Sequence, residues 1–377
     1  LFWSMIDSPV YVYCDYDCDG ITSGSIISIG CNSIGIKPHI IIPRRFTDGY
    51  GIKVKNLENM DPSGLLITVD NGIAANEAVD TAKEKGMKVI ILDHHEARIL
   101  NGEQFLPEAD VVIDPHITEA DFEDYCGAGL AYRFMREVFA KKRRPADLNG
   151  IMSSMIALAA VGTVGDSVTM KAENRFLVRR GMEQIEQKRV STGLVLLLEE
   201  MKLSDTLSVE DIAYSLVPAI NAFGRLEDEG SRKVAALLSY TGRKSDGAKN
   251  AAQIVKQMND ERKTYCKELT ELAEKMVEET GQMNNSVLVL QDDRFLKGIC
   301  GIIAGNLTEK YKVPSIVFGA PENGICVGSG RSRDWCNLKA AMDKCSGLFF
   351  QYGGHPAACG ASIQIENIDT LRQTMCD

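Results

Sequence analysis

Short apolar runs alternate with helix-patterned stretches through the first half of the chain, and this alternation limits the fold more than any other feature. The runs are Val10 to Tyr13, His39 to Ile42, Leu65 to Val69, Lys88 to Leu92 and Val111 to Ile113. Helical stretches are predicted at about 21–34, 74–85 and 129–142. A strand buried on both faces reads as a continuous apolar run, and strand–helix alternation builds a mostly parallel sheet from βαβ units. Gly35 and Gly86 fall where helices should end, as C-terminal caps do.

Residues 151–201 continue in helical pattern, with a predicted interruption at Gly162 to Ser167. A long charged helix is expected from Ser245 to Thr280, where Ile254, Met258, Tyr265, Leu269, Leu272 and Met276 recur at helical spacings. At 1.5 Å per residue such a helix spans roughly 50 Å, enough to bridge two domains. Strand signals return at Ser286 to Leu290, Ser315 to Phe318 and Ile325 to Ser329, with a helix at about 299–311. This predicts a second, smaller α/β domain ending near Ile365. A chain of 377 residues exceeds one ordinary core, so the expected division is 1–240, a connecting helix 241–281, and 282–377.

Hydrophobic residues at 45% and charged residues at 25% fit a soluble globular protein, and no apolar run approaches the roughly 20 residues of a membrane span. The 11 cysteines are odd in number and irregularly spaced, which predicts free thiols, a reducing compartment and a cytoplasmic protein. Cys14 and Cys18 are expected to be small, semi-buried thiols. The sequence begins at Leu1, so a preceding segment is expected to be missing. The run Lys141, Lys142, Arg143, Arg144 reads as a solvated helix end. A net charge of -10 counts against a nucleic-acid partner at first sight. A cluster of aspartates neutralised by bound cations would account for part of that charge.

Such a cluster is present. Asp15-Tyr16-Asp17-Cys18-Asp19-Gly20 directly follows the first strand run. Acids at alternate positions repel one another, so a purely structural role rarely needs three; at a strand's carboxyl end they read as ligands for hard divalent cations. An EF-type calcium loop is excluded, because its twelfth position would be Ile26 rather than Glu. Asp70 ends the Leu65–Val69 run and Asp93-His94-His95 ends the Lys88–Leu92 run. Three strand ends carrying metal-type ligands point to one shared site. Asp166 follows Gly162 and Gly165, and taken alone reads as a helix–helix turn. Near the C-terminus, Gly328-Ser329-Gly330-Arg331 and Gly353-Gly354-His355-Pro356 combine accessible backbone with arginine, which suggests a phosphate pocket facing the metals across a cleft.

Taken in order, these motifs resemble the DHH phosphoesterase superfamily, with Asp93-His94-His95 as its triplet and Gly353 to Gly360 as the signature of its associated second domain. The finer match is to the RecJ branch, the single-strand-specific 5′-to-3′ DNA exonucleases. It is carried by Pro43 to Gly51, Cys126 to Ala131, Gly162 to Asp166 with Glu173-Asn174-Arg175, Pro218 to Leu226, and Gly328 to Ser332. The resemblance implies two Mn²⁺ or Mg²⁺ ions on Asp17, Asp19, Asp70, His94 and Asp166, with Asp15 and His95 in supporting catalytic roles. It implies that Arg45, Arg225, Ser329, Arg331, Gly353 and Gly354 hold phosphate groups and that His355 faces the scissile phosphate. Single-stranded DNA or short oligonucleotides are the implied substrates, and a single-strand-binding protein an implied partner.

Three departures accompany it. A family histidine is lost in Phe295-Leu296-Lys297-Gly298, Cys359 interrupts the usual Ala-Ala-Gly, and the chain stops at Asp377 where bacterial members carry an OB-fold. The last departure is expected to weaken single-strand binding or to shift preference toward short oligonucleotides. The competing readings are a phosphoesterase of short oligonucleotides, nucleoside bisphosphates or cyclic dinucleotides, and a catalytically inert scaffold, against which the intact acids count.

Overall fold

The computed structural model describes all residues except 6, 118–119, 142–143, 204–206 and 377, so Lys142 and Arg143 of the basic run lie outside the described residues. The chain divides into two compact units, Leu1–Asn259 and Asp260–Asp377.

In the first unit, strands β1 (Val10–Cys14), β2 (His39–Ile41), β3 (Leu65–Val69) and β4 (Lys88–Leu92) join β7 (Val111–Ile113) in a parallel sheet. Between β4 and β7 lies a small hairpin, β5 (Arg98–Leu100) and β6 (Glu103–Phe105), that the sequence reading did not anticipate. Its turn residues Asn101 and Gly102 both take positive φ, at 54° and 88°, as hairpin turns of the Asn-Gly type do.

The sheet order is β2-β1-β3-β4-β7. The chain thus winds outward from β1 in one direction and from β3 in the other. In open parallel sheets the crevice at this reversal, outside the carboxyl strand ends, is where ligands gather. Register sharpens the point. Cys14 pairs with Val69, Val69 with Leu92 and Leu92 with Ile113. The next residue on each strand is an aspartate: Asp15, Asp70, Asp93 and Asp114.

Helix α1 (Cys18–Ser33) follows β1 and is buried continuously from Cys18 to Cys31. Its glycines permit this: a Cβ on Gly24 would sit 2.3 Å from Cys14 Sγ. After α2 (Asn76–Glu84) come α3 (Gly127–Lys141), α4 (Leu148–Gly165), α5 (Ala172–Glu186) and α6 (Thr192–Glu200). A short α7 (Val209–Asp211) runs through a π-helical turn into α8 (Val217–Leu226), and α9 (Ser231–Leu238) follows. By length and composition α4 is apolar enough to cross a membrane. It is the core helix of this unit, buried from Ser154 to Val164 and packed against α1, α3 and α5. Leu158→Ala is accordingly expected to cost about 2–5 kcal/mol in a denaturant melt.

The predicted interruption at Gly162 to Ser167 is corrected. Helix α4 continues through Gly162 to Gly165, and Asp166 is its C-cap. Gly162 is there for approach: a Cβ would stand 2.5 Å from Ala128 Cβ, 2.6 Å from Thr22 Oγ1 and 2.7 Å from Asp19 Oδ1. A glycine inside a helix often marks close packing rather than a break.

Helix α10 (Asp246–Glu279) is the long helix, and the division between the units falls within it. The second unit is built on strands β8 (Leu288–Gln291), β9 (Ser315–Glu322), β10 (Ile325–Arg331), β11 (Phe349–His355) and β12 (Ala358–Gln364). Their order is β11-β12-β10-β9-β8, with only β8–β9 parallel. Helices α11 (Cys300–Tyr311), α12 (Leu338–Lys344) and α13 (Ile368–Cys376) complete it. Leu338, Met342, Ile363, Ile368 and Leu371 share its core. Gly353, Gly354 and His355 lie at the end of β11. One expectation changes here: the fold continues past Ile365 into α13.

Candidate metal centre

The loop after β1 supplies three carboxylates because it turns at once into α1. Asp17 is the N-cap: its Oδ1 accepts from the backbone N–H groups of Asp19 at 2.9 Å and Gly20 at 3.1 Å. Gly20 packs against Asp15, whose carbonyl oxygen would lie 2.4 Å from an added Cβ. Asp19 is held differently. Its Oδ2 accepts from Gly127 N–H at 2.6 Å and its Oδ1 from Ala128 N–H at 2.9 Å. These are the first amides of α3, whose unpaired N–H groups and dipole favour a carboxylate. Both acids therefore have fixed orientations before any ligand arrives.

Asp70 leaves β3 with φ of 60°, the left-handed region. Non-glycine residues seldom adopt it, and such outliers gather at functional sites. His94 Nε2 lies 3.1 Å from Asp70 Oδ1, 3.8 Å from Asp19 Oδ2 and 3.8 Å from Asp166 Oδ2. Asp166, placed by the end of α4, thus joins the residues of β1, β3 and β4. Ligand atoms of Asp19, His94 and Asp166 lie within 4.8 Å of one another; so do those of Asp15, Asp17 and Asp70, and those of Asp70, His94 and His95.

Asp93, which the sequence reading named only within its triplet, positions the loop. Its Oδ2 accepts from Ile73 N–H at 2.8 Å. Its Oδ1 accepts from the N–H groups of His94 and His95 and meets His95 Nδ1 at 2.7 Å. Burial alone would raise the Asp93 carboxyl, but the bond and charge of His95 and the backbone donors hold it below its usual range. Burial alone would lower His95, and Asp93 outweighs this and lifts it to about 9. Tyr50 is a second addition: its hydroxyl lies 3.2 Å from His95 Nδ1 and 3.4 Å from the Asp70 carbonyl oxygen. Its only sequence signal was membership of the Pro43–Gly51 stretch.

The remaining acids are strained electrostatically. Burial first, and Asp17 next, push Asp15 well above the ordinary carboxylate range. Burial and Asp19 raise Asp17. Burial and the charges of Asp19, Asp17 and Asp15 raise Asp70 well above its usual value. Asp166 rises to about 8, through burial and then Asp19 and Asp17. Burial lowers His94, leaving a neutral imidazole able to ligate. Asp15 Oδ1 is buried with no hydrogen-bond partner. Buried carboxylates that repel one another, one orphaned oxygen and a neutral imidazole fit a hard divalent cation.

A pH dependence follows. Carboxyls raised in the folded state bind protons more tightly there than in the unfolded chain, where an aspartate titrates near 3.9. Their contribution to stability is complete below about 4 and is lost as pH climbs through the folded value, about 8 for Asp166. In EDTA the melting temperature should fall between pH 5 and 9, and Mn²⁺ should raise it most at the alkaline end. A melting temperature in EDTA that stays flat or rises across this range would contradict the assignment.

Around this centre the structure brings two predicted phosphate ligands toward Tyr16. The Arg45 guanidinium lies 4.9 Å from the Tyr16 ring centroid, and the charges of Arg45 and Arg225 both act on that tyrosine. In the second unit, Ser329 and Gly353 both pair with Gly360, and Arg331 and His355 both pair with Ala358. These four residues therefore occupy two alternate cross-sheet rows, with the row of Gly330, Cys359 and Gly354 between them. The Arg331 guanidinium rests on the first turn of α11, where a Cβ on Gly301 would meet its Nη2 at 2.7 Å. Gly354 takes φ of 133° beside the Ala358 carbonyl. Cys14 and Cys18 are free thiols, as expected, but fully rather than partly buried.

Comparison with known proteins agrees with this architecture. Residues 9–163 match the DHH family N-terminal domain, and residues 284–377 match the DHHA1 domain. The chain is 31% identical over 375 residues to the single-stranded-DNA-specific exonuclease RecJ of Bacillus subtilis, covering 97% of this chain and 45% of that protein. It is 30% identical to RecJ of Dickeya dadantii, covering 96% of this chain and 65% of that protein. The chain thus spans between about half and two thirds of the curated relatives it matches. A crystal structure of exonuclease RecJ bound to manganese superposes with a TM-score of 0.79 at 26% identity, covering 98% of this chain and 89% of that one. RecJ of Thermus thermophilus in complex with Mn²⁺ gives 0.80 at 25% identity, covering 99% of this chain and 52% of that one. With both domains in order and RecJ-like sequence along nearly its whole length, the chain belongs to the DHH phosphoesterase superfamily.

Proposed function

We propose that this chain is a metal-dependent phosphodiester hydrolase that removes nucleotides from the 5′ end of single-stranded DNA. The observation that carries the proposal is the convergence of Asp15, Asp17, Asp19, Asp70, His94, His95 and Asp166 from four parts of the fold. Asp17, Asp19, Asp70, His94 and Asp166 would hold two divalent cations, Mn²⁺ or Mg²⁺. Bound there, the cations supply Lewis acidity, which acidifies a water and neutralises charge on the phosphate under attack.

The protein's own groups do the rest. Asp17 and Asp19 present fixed lone pairs, because helix N-termini hold their other contacts. That preorganisation removes reorganisation from the reaction. Asp93 orients the His95 ring and keeps its proton at neutral pH, so His95 offers a cationic N–H to a phosphate oxygen. Asp15 would support the site beside Asp17 and Asp70. In the first unit, Arg45 and Arg225 would hold flanking phosphates. The 282–377 domain, by itself, presents Ser329, Arg331, Gly353, Gly354 and His355 as phosphate ligands, Arg331 by its planar fork. The likeness to single-strand-specific exonucleases supports DNA single strands as the substrate.

The test is a comparison in Mn²⁺ of a 5′-labelled single strand of about 30 nucleotides, its duplex and a dinucleotide. Release of labelled mononucleotide from the single strand, slow release from the duplex and none in EDTA are expected. Turnover of the dinucleotide with an intact single strand would replace this reading by that of a short-oligonucleotide phosphoesterase.

A further inference from the structure

At the β2 edge of the first unit lies a cavity of about 640 Å³ that the metal centre does not use. Its size falls within the range of small-molecule sites, roughly 300–1,000 Å³. Tyr11 lies four residues before Asp15, so this site sits about 13 Å back along the strand from the acids.

Its lining has three properties. The first is charge. The chain has 52 Asp and Glu residues, yet none of the fifteen residues around this cavity is acidic. Arg232, at the start of α9, lines it and is exposed, and among the described residues it forms no ion pair or hydrogen bond. An unpaired guanidinium in a carboxylate-free hollow of an acidic protein is a seat for an anion. The second is a flat wall. The rings of Tyr11 and His39 stack, with centroids 5.2 Å apart and planes 25° from parallel. His39 is exposed, so a third ring can extend the stack. The third is free hydrogen-bonding capacity. The Asn59 side chain has no partner among the described residues and offers both a donor and an acceptor. Strand β2 is the sheet edge, so its outer backbone groups have no neighbouring strand in the sheet.

An anion seat, a stacking wall and an amide that reads a polar edge match one chemical class. We propose that this cavity binds a nucleoside monophosphate, with the phosphate on Arg232, the base against His39 and its edge at Asn59. The inference stands whether or not the chain hydrolyses DNA.

Titration calorimetry of dAMP into the full chain in EDTA tests it, with Asp70→Asn reporting on the metal centre. Saturable binding is expected, weakened at least about tenfold in Arg232→Glu and in His39→Ala. Both positions are exposed, so neither change opens the core. Binding should be unchanged in Asp70→Asn. Adenosine and inorganic phosphate should each bind more weakly than dAMP. The proposal is overturned if the wild type shows no saturable binding, if Arg232→Glu binds as well as wild type, or if Asp70→Asn removes the signal. Phosphate binding as tight as that of dAMP would overturn the nucleotide assignment.

Discussion

Asp70→Asn is expected to lower metal-dependent cleavage by about 10³-fold or more while leaving the fold intact. The substitution keeps shape and removes charge. Asparagine is among the few residues that tolerate the left-handed backbone, and Asp70 has φ of 60°. The change takes one anionic oxygen from a site shared with Asp15, Asp17 and His94. It also relieves repulsion, because the charges of Asp19, Asp17 and Asp15 all oppose ionisation of Asp70. In EDTA the variant should therefore melt at or above the wild-type temperature at alkaline pH. In Mn²⁺ the order should reverse, because the wild type alone gains full binding energy. Activity and stability moving in opposite directions separate a ligand from a structural acid. Wild-type cleavage by Asp70→Asn would remove Asp70 from the site.

Gly127→Ala is expected to have the next largest effect. An added Cβ would stand 2.7 Å from Asp70 Cβ, 2.9 Å from Asp19 Oδ2 and 3.1 Å from Asp70 Cα. Neither aspartate can yield cheaply. Asp19 accepts two amides of α3, and Asp70 is fixed by its strained backbone. Overpacking of this kind costs about 1–3 kcal/mol. Displaced ligands and their supports typically lose about 10- to 100-fold in metal affinity. Gly347→Ala is the control, since beyond its own chain neighbours nothing packs within 4 Å of its added Cβ. Calorimetric Mn²⁺ titration of both variants checks this: Gly127→Ala should bind more weakly and Gly347→Ala as wild type. Equal affinities would mean that the grip of α3 on Asp19 has no bearing on the metal.

How the site came to be readable from sequence follows from where its residues sit. Candidate ligands at strand ends are visible because a buried parallel strand is a continuous apolar run, and Leu65–Val69 and Lys88–Leu92 begin and end where their composition changes. The acid after each run then stands out. Asp166 was less visible, because its segment resembles a glycine turn; its placement depends on α4 packing against α1 and α3, which local sequence does not encode. The same tertiary packing explains Gly162, kept by contacts with Ala128, Thr22 and Asp19 rather than by any need to break the helix. Strands β11 and β12 were hidden by their glycines, since Gly353, Gly354 and Gly360 carry no strand propensity of their own; Gly353 and Gly354 are held by the ladder to β12, and Gly360 by the ladders to β11 and β10. The role of Asp93 was hidden because its partners are His95 beside it and Ile73 twenty residues away, the latter close only once β3 and β4 pair.

The most direct test of the account is an anomalous difference map at the manganese edge, from crystals of the wild-type chain grown with Mn²⁺. Peaks among Asp17, Asp19, Asp70, His94 and Asp166 are predicted, and their loss in Asp70→Asn crystals. Manganese bound elsewhere, with no peak among these five residues, would contradict the claim that they form the catalytic metal centre.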